Sequence, residues 1–289
     1  MNSLAIILVL SAAFVHALWN LLAKRAGGGV VFIWLFAALS TVIYAPISVY
    51  ILWIKRPPIE LAGLAFIFVS ALLHLLYFFV LQRGYLKGDL SLVYPLARGT
   101  GPMLSSCGAI VLLGERPGPL AIAGAALVIL SVFYLSGGTR LFGKKDETTT
   151  RWAVRYGFLC GVVIATYTLW DKHAVAALMV PPIILDWASS ITRVLVLSPY
   201  AIRRWGEVKH QWHINRKLAI GVAVFNPLSY ILVLTALVFT PVSYVAPARE
   251  ISILFGTLMG THILSEGHSM RRIISACIMI LGVIGLSLG

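Results

Sequence analysis

Ten long apolar stretches follow one another along this chain and leave little room for anything else. They cover residues 4–24, 30–54, 61–83, 89–113, 118–137, 152–170, 180–202, 217–238, 241–264 and 271–288. A helix needs about 20 mostly apolar residues to cross the hydrocarbon core of a bilayer, and each stretch is close to that length. Because backbone polar groups in lipid must be satisfied within the segment, such stretches form helices. The sequence therefore predicts an all-α membrane protein with ten transmembrane helices.

The composition excludes a soluble globular protein. Of 289 residues, 60% are apolar and only 11% are charged, whereas an average soluble domain has about 25% charged residues. The net charge is +13, but the basic residues lie mostly between the apolar stretches, where they set orientation in the membrane. We therefore expect a lipid bilayer as the surroundings and no nucleic-acid partner. The three cysteines all lie inside apolar stretches, so we expect no metal site and no cofactor.

The second half of the chain repeats the first. A polar connection at residues 138–151 separates a first repeat, residues 1–137, from a second, residues 152–289. A shift of 151 positions aligns Trp19 with Trp170, Asn20 with Asp171, Arg98 with Arg249 and Glu115 with Glu266. Because each repeat has five helices, the two copies must enter the membrane from opposite sides. Two inverted five-helix repeats are an architecture of secondary transporters, with a binding site between the repeats.

The distribution of basic residues predicts an orientation. Outside the helix centres, 16 Lys and Arg residues lie in the connections after odd-numbered stretches and 4 in those after even-numbered stretches. Basic connections stay in the cytoplasm, so this count places both termini outside the cell.

Charged residues lie at the centres of some apolar stretches, namely Arg98, Arg193, Arg249 and Glu250, and Asp186 lies about one turn in from the end of another. A charge at the middle of a membrane helix costs about 2.5 to 3.5 kcal/mol on insertion scales, so it points to a polar cavity or a partner. The alternative is that these charges only form ion pairs that hold helices together. Arg98 and Arg249 occupy equivalent positions in the two repeats, and each follows a proline that can interrupt the helix.

These residue types suggest an anion site with a proton carrier. Arg stays charged at any accessible pH and suits a carboxylate or phosphate group, which makes Arg98 and Arg249 candidates for substrate binding. Glu250 can take up and release a proton and is the candidate for proton coupling. Further polar candidates for substrate binding lie in the first, third and eighth stretches: His16, Asn20, His74, Tyr77, Asn226 and Tyr230. A lone histidine of this kind is more often a hydrogen-bonded core residue.

Small residues predict close helix contacts. Gly157 and Gly161, and likewise Gly256 and Gly260, keep the four-residue spacing that lets membrane helices approach one another. No zinc-protease, hydrolase or phosphate-loop motif occurs, so we expect no catalytic residues and no enzyme.

The halves resemble the EamA domains of the drug/metabolite transporter superfamily. The resemblance lies in the Trp near the end of helices 1 and 6, and in the stretch from Leu92 through Arg98 to Glu115. That stretch is echoed from Tyr244 through Arg249 to Glu266. The resemblance implies a central cavity lined by helices 1, 3, 4, 6, 8 and 9. Those helices carry His16, Asn20, His74, Tyr77, Tyr94, Arg98, Asn226, Tyr230, Arg249 and Glu250.

The sequence and the resemblance together predict a secondary transporter. We expect a multi-pass protein of the cell inner (plasma) membrane, a monomer or a homodimer, that moves a small metabolite with an anionic group by alternating access. A membrane scaffold or lipid carrier is one alternative, and an intramembrane enzyme is another. Family members usually have cytoplasmic termini, which conflicts with the orientation that the charge count predicts.

Overall fold

The structure, a computed structural model, is helical almost throughout. It describes residues 1–27, 29–87, 90–135, 147–263 and 270–289, and no strand occurs among them. Eleven α-helices are present in this part of the chain: α1 (Ser3–Ala26), α2 (Val30–Tyr50), α3 (Leu61–Lys87), α4 (Leu90–Leu112), α5 (Pro119–Leu135), α6 (Glu147–Ala176), α7 (Pro182–Arg203), α8 (Trp205–Phe239), α9 (Val242–Ala248), α10 (Ile251–Ile263) and α11 (Met270–Leu288). A π-helical turn, Ile51–Lys55, continues α2.

Each predicted apolar stretch coincides with helix in the described residues. Five helical segments are long and apolar enough to cross a membrane: Ser3–Ala26, Val30–Lys55, Leu61–Lys87, Arg151–Ala176 and Trp205–Phe239. The helix α8 begins well before the predicted stretch, because a polar segment precedes the apolar one and the two join at a kink at Asn215. At this kink the Asn215 side-chain amide donates a hydrogen bond to the Ala26 backbone carbonyl at the end of α1. The helical segment therefore extends beyond its apolar span.

Local sequence signals define the two ends of α1. The Asn2 side chain accepts a hydrogen bond from the Ala5 backbone N–H at 2.8 Å, which satisfies one free donor of the first turn. At the other end, Gly27 adopts a left-handed conformation with φ of 58° and donates its N–H to the Lys24 carbonyl. Glycine suits this position because it has no Cβ to clash. These caps bound α1 on both sides.

The ninth predicted stretch is not one helix but two. The helix α9 contains Pro247, which has no N–H to donate. The chain then tightens, with the Glu250 N–H bonded to the Pro247 carbonyl and the Ser252 N–H bonded to the Arg249 carbonyl. Arg249 and Glu250 lie at this break, between α9 and α10. By contrast, α4 continues without interruption past Pro95.

The helices pack in pairs that correspond between the two halves. The helix α1 packs against α8, and α3 packs against α6 in the corresponding way. The contact of α4 with α6 likewise corresponds to that of α1 with α10, while α2 meets α7 and α5 meets α11. Exchanging the halves therefore leaves this set of contacts unchanged.

Glycines allow the closest of these approaches. A Cβ added at Gly157 on α6 would lie 2.7 Å from the Leu96 Cβ of α4, and one added at Gly124 on α5 would lie 2.5 Å from the Gly282 carbonyl oxygen of α11. The helix contact predicted at Gly157 is thus confirmed. At Gly256 an added Cβ meets no described atom within 4 Å, so the expected contact is not found there. Gly260 lies among residues whose side-chain surroundings are not described.

Candidate functional site

Two arginines from different halves of the chain contact one carboxylate. The Nε atom of Arg98 on α4 lies 3.0 Å from Glu250 Oε2, and the Nε atom of Arg249 lies 3.5 Å from Glu250 Oε1. The Glu250 side chain is only 1% exposed, and the Arg98 side chain 12%. Neither oxygen of Glu250 has an aligned hydrogen bond within the described part of the chain. The carboxylate is therefore held by charge between the two guanidinium groups.

Further polar groups surround this triad. An Arg98 guanidinium N–H donates to the Ser252 hydroxyl at 3.1 Å, which ties α4 to the first turn of α10. His16 on α1 lies within the electrostatic reach of both arginines. All three charged side chains of the triad are at least mostly buried, so this conformation closes the cluster to solvent.

A second buried cluster joins three helices around Asp171. This residue lies on α6 and is 0% exposed. The Tyr230 hydroxyl of α8 donates a short hydrogen bond to Asp171 Oδ2. The same oxygen lies 3.8 Å from Nε2 of His74 on α3, while His74 Nδ1 lies 2.9 Å from the backbone carbonyl of Ser70. The cluster therefore combines one residue of the first half with two of the second.

Aromatic rings and Arg249 connect the two clusters. The Tyr167 ring lies 4.3 Å from the His74 ring and 6.0 Å from the Tyr77 ring, measured between centroids. The charge of Arg249 acts on Tyr167, His74 and Asp171. The two clusters thus form one continuous polar region inside an otherwise apolar bundle.

The remaining intramembrane charges lie on α7. Asp186 and Arg193 are two turns apart on this helix and interact electrostatically. Arg193 also acts on His74, and Asp171 acts on Asp186. This pair therefore borders the Asp171 cluster.

The structure brings together some of the predicted site residues and separates others. Arg98, Arg249 and Glu250 meet, and His74 meets Tyr230. Asn20 is exposed, and its amide donates to the His16 carbonyl of its own helix. The Asn226 backbone carbonyl accepts a hydrogen bond from the Ser229 hydroxyl. The Tyr94 side chain lies outside the described residues.

Sequence reasoning missed the residue at the centre of the second cluster. The repeat pairs Asp171 with Asn20 but assigns it no binding role, and Tyr167 is absent from the predicted site residues. The same shift of 151 places His16 on Tyr167. Both polar positions of α1 thus had polar partners on α6, and this signal could have identified the cluster.

Glu115 stabilises the fold by capping a helix. Its carboxylate accepts hydrogen bonds from the backbone N–H groups of Val242 and Ser243, at 2.7 and 2.9 Å. Glu115 therefore caps the N-terminus of α9, while its repeat partner Glu266 lies outside the described residues. Lys172 caps a helix C-terminus, since its ammonium donates to the Leu237 carbonyl in the last turn of α8 and to the Thr240 carbonyl just after it. These two residues border an open cleft of about 380 Å³, separate from the arginine cluster.

The described residues contain no group of three or more His, Cys, Asp or Glu side chains that could hold a metal ion. The polar region instead offers two guanidinium groups, two carboxylates and two imidazoles. Such groups can bind an anion by charge and can take up or release protons.

Apolar helices that enclose a buried polar region define a multi-pass membrane protein of the transporter type. A family model described as the EamA-like transporter family matches residues 3–137 and again residues 151–288. The chain belongs to this family, whose members are transporters and not enzymes. The fold is similar to that of a solved structure described only as "Crystal structure of protein". That chain has 14% sequence identity and a TM-score of 0.75, with 100% of this chain and 98% of that one covered. A search of curated proteins gave no match.

Proposed function

We propose that this protein is a secondary transporter that moves a small anionic metabolite by alternating access. Ten membrane-spanning segments form two inverted five-helix repeats, α9 and α10 together making one of them. Arg98 and Arg249 bind the anionic group, and Glu250 couples its movement to a proton. The single observation that carries this proposal is the contact of both arginines with one buried carboxylate.

The corresponding helix contacts support the inverted repeat. Packing pairs remain the same when the two halves are exchanged, as expected for two copies related by a two-fold axis. Each half has an odd number of spanning segments, so such copies run in opposite directions. This arrangement places the equivalent arginines on opposite sides of one space between the halves.

Glu250 occupies the place that the anionic group of a substrate would take. Charge-assisted contacts between guanidinium and carboxylate are among the stronger polar interactions in proteins. A carboxylate or phosphate of a substrate can replace Glu250 between the arginines because it offers the same negative oxygens. Substrate binding therefore requires Glu250 to leave or to lose its charge.

Protonation of Glu250 provides that release. A neutral carboxylic acid no longer neutralises the two guanidinium groups, and a buried unpaired charge is costly. The freed arginines then attract the substrate anion, so proton and anion enter the closed site together. Return of the proton to water on the other side restores the triad. Symport of an anion with a proton follows from this exchange.

The charged triad argues against a membrane scaffold. A scaffold needs no polar interior, so α4 would then pack against the ninth span through apolar side chains alone. Instead, Arg98, Arg249 and Glu250 lie between them. We place the protein in the cell inner (plasma) membrane as a monomer or a homodimer, with a small molecule as its substrate.

A thermal-shift screen of the purified protein tests the anion site. Inorganic phosphate and succinate are the probes, and uncharged glycerol is the control. A ligand that binds only the folded state at 100 times its Kd stabilises the protein by about 2.7 kcal/mol. We expect an anion to raise the melting temperature of the wild type but not that of the double variant Arg98→Ala/Arg249→Ala. Stabilisation by cations alone, or an equal shift in the double variant, would contradict the proposal.

A further inference from the structure

His74, Asp171 and Tyr230 form a cluster whose hydrogen-bond pattern does not balance without an extra proton. The His74 Nδ1 atom faces the Ser70 carbonyl at 2.9 Å. A carbonyl only accepts hydrogen bonds, so Nδ1 must carry the hydrogen. In a neutral imidazole the other nitrogen, Nε2, is then a bare acceptor.

This bare acceptor faces another acceptor. His74 Nε2 lies 3.8 Å from Asp171 Oδ2, and an ionised carboxylate has no hydrogen to offer. The Tyr230 hydroxyl donates to the same oxygen and takes only one of its lone pairs. Neither His74 Nε2 nor Asp171 Oδ1 has a hydrogen-bond partner within the described ranges. The Ser70 hydroxyl and the Arg249 charge also act on Asp171, but its complete burial disfavours the ionised carboxylate.

We propose that His74 and Asp171 bind one exchangeable proton and form a second coupling site of the transporter, distinct from Glu250. The proton resides either on His74 Nε2, as an imidazolium beside a carboxylate, or on Asp171 Oδ2, as a carboxylic acid beside a neutral imidazole. On release it passes to water and leaves a neutral imidazole and an ionised carboxylate. No other bond changes.

The surrounding charges keep this proton exchangeable. On α6 and α8 the neighbouring titratable groups are Tyr167 and Tyr230. From the break after α9, the Arg249 guanidinium acts on both members of the pair. From α7, Arg193 acts on His74, and Asp186 interacts with Asp171. Arg249 favours the ionised carboxylate, and both arginines disfavour an imidazolium at His74, so they oppose permanent retention of the proton.

The position of the pair makes its proton dependent on conformation. His74 belongs to the first half of the chain, whereas Asp171 and Tyr230 belong to the second. A movement of one half against the other changes the distance between Nε2 and Oδ2 and exposes the pair to water. Proton binding therefore favours the closed conformation, and proton release favours an open one. This role rests on the proposed transport function.

Solid-state NMR of ¹⁵N-histidine-labelled protein in phosphatidylcholine vesicles tests the proton directly and requires no substrate. The His74→Gln variant assigns the His74 signals. We expect Nδ1 to stay protonated at every pH, whereas Nε2 changes between protonated and bare in a single step. In Asp171→Asn the amide oxygen at the Oδ2 position still accepts from Tyr230, and the uncharged amide no longer stabilises an imidazolium at His74. That variant should therefore keep the fold and show His74 neutral, with no such step across the pH range of the wild type.

A second variant distinguishes loss of the shared proton from a folding defect. Tyr230→Phe leaves both members of the pair in place but removes the donor to Oδ2, so the pH of the His74 step should change. A His74 signal that is the same in the wild type, Asp171→Asn and Tyr230→Phe overturns the shared proton. The neutral tautomer with hydrogen on Nε2 in the wild type also overturns it.

Proton uptake into vesicles separates this proposal from the proposed function. Proteoliposomes with an internal pH-sensitive dye receive external phosphate, and both phosphate and proton entry are measured. Phosphate entry without protons overturns proton coupling at Glu250 and at His74 and Asp171 alike, while leaving the anion site intact. If phosphate and succinate neither bind nor enter, the anionic substrate class fails, and the NMR result alone decides the shared proton.

Discussion

The Nε atom of Arg98 lies 3.0 Å from Glu250 Oε2, and this contact joins α4 of the first half to the break between α9 and α10. Arg249, the repeat partner of Arg98, reaches the other oxygen of the same carboxylate. The two arginines are equivalent in the repeat, but Glu250 has no equivalent in the first half, where position 99 is glycine. A single carboxylate between two equivalent cations can respond to a ligand approaching from either side.

Glu250→Gln should separate substrate exchange from proton-driven accumulation. The amide cannot be ionised, so the arginines stay free to hold the anion at every pH. We expect anion affinity to rise about 10-fold, which corresponds to about 1.4 kcal/mol, and to lose its pH dependence. Phosphate exchange between proteoliposomes and medium should continue, whereas accumulation driven by an imposed pH difference should stop. Continued uphill accumulation in this variant would remove Glu250 from the coupling mechanism.

Arg98→Ala should abolish anion transport for a reason distinct from loss of stability. Removing one partner of a buried ion pair costs about 3 to 5 kcal/mol because the other charge remains buried. The retained Arg249 contact should keep the cost at the lower end of that range. The double variant Arg98→Ala/Glu250→Gln leaves Arg249 buried without the Glu250 carboxylate, so it should melt at a lower temperature than Arg98→Ala and should still lack transport. Recovery of transport in the double variant would show that Arg98 serves only as a partner of Glu250.

Arg249→Lys should also reduce anion affinity while keeping the charge. Lysine lacks the planar fork with which arginine contacts two oxygens at once. We expect a weaker anion-dependent thermal shift, with little change in the melting temperature of the free protein. Isothermal titration with phosphate measures the affinity, and an unchanged Kd would argue against a direct contact.

Glu115→Ala should lower stability without altering the anion site. The carboxylate accepts two backbone hydrogen bonds at the start of α9, and loss of a helix cap costs about 0.5 to 2 kcal/mol. Glu115→Gln should fall between Glu115→Ala and the wild type, because one amide oxygen can replace only one of the two acceptors. Thermal unfolding in detergent gives the order, and equal melting temperatures for all three proteins would contradict the cap.

Gly157→Ala and Gly256→Ala should have opposite effects on stability. At Gly157 the new methyl group would approach Leu96 on α4 too closely, and overpacking costs about 1 to 3 kcal/mol. At Gly256 no described atom lies within 4 Å of the added methyl group, so the higher helix propensity of alanine should leave the protein equally stable or more stable. The two melting temperatures, measured in the same detergent, provide the comparison.

Single cysteines should establish the orientation that the charge count predicts. Met179 lies exposed just before α7 begins, and Glu207 lies exposed in the first turn of α8, just after α7 ends. In a background without Cys107, Cys160 and Cys277, Met179→Cys should react with a membrane-impermeant thiol reagent in intact cells, whereas Glu207→Cys should react only after the cells are opened. The reverse result would place both termini in the cytoplasm, as is usual in the family.

The site could be predicted from the sequence only in part. Arg98 and Arg249 were identifiable because an intramembrane charge is costly and because both occur at the same repeat offset. The contacts of Glu250 were not predictable in this way, since they depend on where the break after Pro247 turns its side chain. Asp171 lies near the end of an apolar stretch, so the sequence alone suggests a residue at the membrane interface. Only the structure shows that α3 and α8 cover it.

The sequence by itself determined the membrane class, the positions of the apolar helices and the repeat of the family match, because these follow from residue patterns along the chain and need no knowledge of distant contacts. Tertiary structure alone decided which polar groups meet. Glu250 bridges two arginines, and Asp171 joins His74 to Tyr230, because helix packing brings together residues far apart in the chain. The energy of a buried charge depends on its neighbours within a few ångströms, and those neighbours are set by the pairing of α4 with α9 and of α3 with α6.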